Sequence, residues 1–215
     1  MSTTPDSVEV DDSAPPPSPR RGRVRLRRAA VMAVPAGLLG ATLMVLTAQG
    51  VLAAQFAISG MPFTVTADKL EGTGFEQFGG LDNMADNSPN AGDTGGQVLI
   101  ITSAIKKATL TNLCQSVDLG GTNLLIRAGR GSDPVSASDL TTDSTIVQGD
   151  ASFTNIEIGN DASTLDKAGV KGPIGVFSQQ SDTVTINNLR QTNYATTAAS
   201  FKLPGLHLSF SSDGC

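Results

Sequence analysis

The chain contains a single histidine, His207, so any mechanism that uses an imidazole as a base depends on this residue. Around it, leucines and a phenylalanine alternate with His207 and Ser209. This pattern predicts a strand with the apolar side chains on one face and His207 with Ser209 on the other, solvated face. The Gly-x-Ser-x-Gly motif that presents the nucleophile of many hydrolases is absent. His207 is thus the only candidate base, no nucleophile is assigned, and the alternative is a solvated histidine without a catalytic role.

The chain contains two cysteines, Cys114 and Cys215. We expect them to form one disulfide that closes a loop of about 100 residues, a constraint of roughly 4–5 kcal/mol in the chain-entropy treatment. Two free thiols are the alternative. Two cysteines and one histidine without short spacing cannot supply a four-coordinate zinc site, and no phosphate-binding glycine loop with a lysine is present. The sequence therefore predicts neither a metal nor a cofactor.

Charge divides the chain into two parts. Residues 1–28 contain six arginines and four acidic residues, whereas residues 55–215 contain nine basic and sixteen acidic residues, a net charge of −7. A scattered acidic surface repels phosphate backbones, so we do not expect the second part to bind nucleic acid. The first part is rich in proline, serine and aspartate and predicts a disordered basic tail.

Residues 29–54 predict a transmembrane helix. No charged residue occurs between Ala29 and Ala67, and the 25 residues from 30 to 54 would span about 37 Å as a helix. The arginines that precede this segment predict a cytoplasmic N-terminus and an extracytoplasmic C-terminal part. The alternative is a secretory signal that is cleaved near Ala53 and releases the remainder from the membrane.

Residues 55–215 predict one all-β domain. Segments with β-branched or alternating apolar residues are bounded by glycine, proline, asparagine and aspartate, and no long helical pattern occurs. We expect a β-sandwich or a strongly twisted sheet. The strand segments are residues 63–67, 97–102, 152–158, 182–186 and 206–210, and exposed loops are predicted at residues 79–96, 129–145 and 159–175.

A weak internal repeat crosses this domain. The pattern apolar, polar, Asn, apolar occurs around Asn112, Asn155 and Asn188, and Asn123 matches it in part. The spacing between the matches is irregular, so a solenoid with constant rungs is not supported. A short irregular β-helix is retained as the alternative fold.

Three stretches resemble a known family, together with the basic tail and the alanine-rich segment. They are residues 56–72 (FAISGMPFTVTADKLEG), 151–159 (ASFTNIEIG) and 187–192 (NNLRQT). Over residues 30–215 the chain resembles an actinomycete, Streptomyces-type family of membrane-anchored envelope proteins of unknown function. Members are often labelled cholesterol esterase. The resemblance therefore implies hydrolysis of a sterol or other lipid ester outside the cell, with His207 as the available imidazole.

Three functions are consistent with the sequence. The favoured one is a membrane-anchored envelope protein whose β domain binds a lipid or an envelope partner without catalysis. The second is a tethered or secreted lipid esterase that depends on His207. The third is a structural surface component that assembles through exposed strand edges. The sequence does not predict an oligomeric state.

Overall fold

The computed structural model of the chain describes residues 56–215. These residues correspond to the predicted β domain. The predicted tail (1–28) and transmembrane helix (29–54) lie outside the described residues. Between residues 56 and 215, no helix is long and apolar enough to cross a membrane.

The described residues form nine strands in a single hydrogen-bonded sheet, with two short 3-10 helices at Gly92–Thr94 and Ala162–Thr164. The all-β prediction is therefore confirmed. Three of the predicted strand segments (63–67, 97–102 and 182–186) lie inside much longer strands, segment 206–210 overlaps the last strand, and segment 152–158 spans the end of one strand and the start of the next. The strands are β1 (Phe63–Asn83), β2 (Gln97–Thr111), β3 (Leu113–Asp118), β4 (Asn123–Ala128), β5 (Val135–Thr154), β6 (Glu157–Asp161), β7 (Phe177–Thr197), β8 (Ser200–Lys202) and β9 (His207–Ser211).

Four long strands close the sheet on itself. Strand β1 pairs with both β2 and β7, β2 pairs with β5, and β5 pairs with β7. Strands β3, β4 and β9 extend the sheet beyond this circuit on one side, and β6 extends it on the other. All pairings between the named strands are antiparallel, whereas a β-helix stacks parallel strands, so the described residues do not form the alternative fold.

The interior of the closed circuit is the main hydrophobic core. It contains Phe75, Ile105 and Leu140 from three different strands, all buried. The loop predicted for residues 129–145 is wrong in its second half, because β5 begins at Val135 and buries this residue and Ala137. Small apolar residues separated by serines fill the crowded interior here, although they resemble a polar loop in the sequence.

The internal repeat marks bends in the backbone: Asn112 separates β2 from β3, Asn155 follows the end of β5, and Asn188 lies within β7. Asn112, Asn155 and Asn188 have φ values of 54°, 51° and 53°, a left-handed conformation that asparagine tolerates better than most residues. Such a residue interrupts the alternation of side chains, so Leu110 and Leu113 both face the core although they are three positions apart. Asn123, the partial match, is not among the residues with positive φ.

Each of these bends is fixed by the same contact. The side-chain amide of the left-handed asparagine donates a hydrogen bond to an aspartate carboxylate on a neighbouring strand or segment. This bond is charge-assisted and therefore stronger than one between neutral groups. The pairs are Asn112 with Asp68, Asn155 with Asp182 (2.7 Å) and Asn188 with Asp150 (2.9 Å).

Candidate functional site

An aromatic groove lies where the first described residues meet the end of β7. Phe56 precedes β1, Phe63 begins it, and Phe201 lies in β8. The groove has a volume of about 370 Å³. Aromatic and small apolar side chains with few polar groups are typical of sites for apolar ligands. The complete lining is Phe56, Phe63, Gln115, Tyr194, Ala195, Thr196, Thr197, Ala198 and Phe201.

Behind the groove lies a small internal cavity of about 40 Å³, inside the closed circuit of strands. Gln115, Thr196 and Phe201 line both spaces and therefore form the partition between them. Most of the other cavity residues are aliphatic, for example Leu110 and Ile186. A ligand seated in the groove would thus have an apolar wall with a few polar atoms directly behind it.

Two of these polar atoms have no hydrogen-bond partner among the described residues. Asn193 is completely buried; its Oδ1 accepts a bond from Ser144 Oγ at 2.7 Å, but its Nδ2 donates to no acceptor. The buried Oγ1 of Thr196 is likewise without a partner. A buried polar group without a partner costs about 1–3 kcal/mol, so an oxygen-bearing guest that reached these atoms would gain that energy.

The apolar face of β9 is exposed. Leu208 and Phe210 are 54% and 71% exposed, and within residues 56–215 β4 is the only strand that pairs with β9. The predicted alternation is correct, since Leu208 and Phe210 share one face and His207 with Ser209 the other. The strand lies beyond the closed circuit, so no other described element covers its apolar side.

The exposed apolar face is continuous with the wall of the groove. Leu113 and Ala128 are paired and buried in the core. The next row on the same face contains Gln115, Ile126 and Leu208, which are directly opposite one another across β3, β4 and β9. Because Gln115 also lines the groove, one surface extends from the groove to the edge of the sheet.

His207 is exposed on the opposite face of β9, across from Arg127. Among the described residues, no hydrogen bond joins it to a serine or a carboxylate, and the half-buried Ser209 is its neighbour on that face. The structure therefore does not bring a nucleophile and an acid to His207. Its role as a base stays a prediction.

Cys114 and Cys215 are joined by a disulfide, with their Cα atoms 6.0 Å apart. Two further bonds hold the C-terminus. The amide of Cys215 donates to Ser116 Oγ at 2.9 Å, and Arg190 donates to the Cys215 carbonyl at 3.0 Å. The last residues are thereby attached to β3, next to the strands that carry the exposed apolar face.

Asp82 and Asp143 form the most perturbed electrostatic pair. Burial and the charge of Asp143 raise the pKa of Asp82 to about 6. Burial also raises the pKa of Asp143, although a hydrogen bond from Thr102 at 2.7 Å opposes this rise. The sequence gives no sign of this pair, because Asp82 and Asp143 are far apart along the chain. They approach each other only because β1 and β5 both pair with β2. No group of three or more metal-ligating side chains occurs within residues 56–215.

The fold and the groove define an all-β domain whose single sheet closes around a core and leaves an apolar extension uncovered. Residues 59–215 match DUF6230, a family of unknown function, and the chain belongs to this family. No match was found among curated proteins or among solved structures. The membership agrees with the resemblance to a family of unknown function inferred from the sequence.

Proposed function

We propose that this chain is a membrane-anchored cell-envelope protein whose extracytoplasmic β domain binds a neutral, oxygen-bearing lipid in the aromatic groove. The observation that carries the proposal is the groove itself. It combines an apolar lining with buried polar atoms behind it, and it lies where the chain enters the domain.

The position of the groove along the chain supports a site close to a bilayer. Phe56 lines the groove and follows the uncharged segment of residues 30–54 by two positions. Two residues of extended chain reach about 7 Å at most. If a membrane span ended at Ala54, the groove would lie near the lipid headgroups, and a lipid would need to move only a short distance to enter it.

The disulfide supports the same location. A bond between Cys114 and Cys215 forms and persists outside the reducing cytoplasm. Positive charge before residue 29 favours the same orientation, with the β domain outside. Both points are independent of the groove.

The chemistry of the groove selects the ligand class. Phe56, Phe63 and Phe201 offer a surface for a hydrocarbon chain or ring system, whereas Thr196, which also lines the groove, carries a hydroxyl without a partner among the described residues that can bond to a hydroxyl or an ester oxygen. The net charge of −7 on residues 55–215 disfavours an anionic headgroup. A monoacyl ester or a sterol-like alcohol fits these requirements.

A spectroscopic test follows from the composition. The chain has one tyrosine and no tryptophan, and this tyrosine, Tyr194, lines the groove. The full-length chain reconstituted in phosphatidylcholine vesicles is mixed with a monoacylglycerol that carries a dibrominated acyl chain. Binding places bromine against Tyr194, so tyrosine fluorescence should decrease in a saturable manner.

Matched variants separate binding in the groove from proximity to the bilayer. Ala198→Phe fills the groove and should abolish the saturable quenching, whereas Ala199→Phe alters an exposed neighbour that does not line the groove and should leave quenching unchanged. Equal quenching in both variants, or none in the unmodified chain, contradicts the proposal.

The probe is also an ester. Release of its fatty acid, lost in His207→Ala, would instead support the esterase alternative.

A further inference from the structure

Strand β9 is an open edge of the sheet. Among the strands of residues 56–215 it pairs with β4 on one side only, and its five residues, His207–Ser211, include no Asp, Glu, Lys, Arg or Pro. Proteins normally protect edge strands with charges, prolines or bulges, because unpaired backbone groups recruit other strands. The opposite edge, β6, has such protection: it carries Glu157 and Asp161 and an irregularity between Ile158 and Asn160.

We infer that β9 pairs antiparallel with β9 of a second copy of this chain, centred on Ser209. In this register Leu208 of each copy lies opposite Phe210 of the other, on the face where both side chains are exposed. His207 of each copy lies opposite Ser211 of the other. A slip of one residue would move the apolar side chains of one copy to the polar face of the other, and a slip of two would leave only three of the five residues of β9 paired, so the register centred on Ser209 is favoured.

Within β9 no charged side chain opposes another across the pair. Arg127 and His207 lie in one cross-strand row, and Asp118, Asn123 and Ser211 lie in another. Antiparallel pairing about Ser209 continues the first row of each copy into the second row of the other. Arg127 and Asp118 of the other copy are then four strand spacings apart, about 19 Å, so their attraction is screened and the pairing rests on backbone hydrogen bonds and apolar contacts.

The paired strands also join the two apolar faces. Leu124 and Phe210 are opposite each other, as are Ile126 and Leu208, so each copy contributes two such rows to one broad surface. This surface continues into the groove of each copy through Gln115. Self-association does not depend on lipid binding, because it uses the backbone of the edge and not the groove.

Cysteine crosslinking of the full-length chain tests the register. Directly opposite residues of an antiparallel pair have Cα atoms about 4.5–5.5 Å apart, within the range of a disulfide. Ser209→Cys should therefore give a covalent dimer under mild oxidation, with a 209–209 crosslinked peptide in mass spectrometry. Ser211→Cys is the matched control: the same residue type on the same face, but roughly 13 Å away from its copy along the strand.

A second variant tests the edge without a thiol. Leu208→Lys places a charge on the edge and should shift dimers of the full-length chain to monomers in light scattering, whereas Leu119→Lys, at an exposed leucine outside β9, should not. A monodisperse monomer, or equal crosslinking at positions 209 and 211, overturns the inference. Dimers that persist in Ala198→Phe separate this result from a failure of the lipid-binding proposal.

Discussion

Glu76 is a completely buried carboxylate, and its replacement by glutamine should destabilise the domain strongly. It lies in β1 next to Phe75, which packs in the core, and the segment of residues 168–170 contacts its carboxylate. Its Oε1 accepts hydrogen bonds from the amides of Ala168 at 2.7 Å and Gly169 at 3.3 Å, and its Oε2 accepts one from Val170 at 2.9 Å. One side chain therefore holds a whole loop against the sheet.

The size of the effect follows from these three bonds. Glutamine keeps one oxygen for Ala168 and Gly169, but its NH2 group faces the Val170 amide, so two donors meet. One hydrogen bond to a charged acceptor is lost, worth about 1.5–3 kcal/mol, and a buried N–H is left without a partner. We expect Glu76→Gln to lower the free energy of unfolding by about 2–4 kcal/mol in total.

Urea denaturation of the purified full-length chain measures this loss, and hydrogen exchange locates it. The amides of Ala168 and Val170 should lose protection most. Glu71→Gln is the matched control on the same strand, because Glu71 is 54% exposed and pairs only with Lys69 at the surface. Such a pair contributes about 0–1 kcal/mol.

The two variants should thus differ clearly. If Glu76→Gln and Glu71→Gln agree within about 0.5 kcal/mol, the ordinary range of surface substitutions, the buried carboxylate does not hold the loop. Unchanged exchange at Ala168 and Val170 would contradict the same reasoning.

Three further predictions concern bends, the disulfide and pH. Asn188→Ala should cost about 1–3 kcal/mol in urea denaturation, because a left-handed residue and a charge-assisted bond are both affected, whereas Asn123→Ala loses only a neutral bond to the Ser212 carbonyl at 3.3 Å and should cost about 1 kcal/mol or less. Replacing Cys114 and Cys215 by serine should lower the free energy of unfolding by about 4–5 kcal/mol, and a loss below about 1 kcal/mol would refute the chain-entropy account. The pKa of Asp82 is raised from 3.8 to about 6, so the unfolded chain loses this proton first and the carboxyl costs stability as pH rises through that interval. Asp82→Asn should therefore flatten the decline of Tm over that interval, and an unchanged profile argues against burial as the cause.

The sequence predicted the all-β class because local alternation of apolar and polar residues is a strong signal for strands. It failed at Val135 and Ala137, where small residues between serines fill a crowded interior and resemble a turn. The asparagine repeat was visible in the sequence, but the left-handed backbone conformation of the repeated asparagines was not predicted. A left-handed residue between two strands, such as Asn112, is a property of the backbone, and it becomes recognisable only when Leu110 and Leu113 are seen to share one core.

The groove was not predictable from local patterns. Phe56 and Phe63 come from the beginning of the domain, and Tyr194 and Phe201 come from near its end. They meet because β7 pairs with β1, and long-range pairing of this kind leaves no local trace. The one available signal was the position of the only tyrosine within a run of small residues.

Photolabelling can show directly whether a lipid binds in the aromatic groove. The full-length chain in phosphatidylcholine vesicles is irradiated with a monoacylglycerol that carries a diazirine in its acyl chain, and the labelled peptides are identified by mass spectrometry. We expect labelling within residues 194–201 that an excess of unlabelled monoacylglycerol removes and that Ala198→Phe abolishes. Labelling confined to residues 30–54, or no competed labelling of the β domain, would contradict lipid binding in the groove.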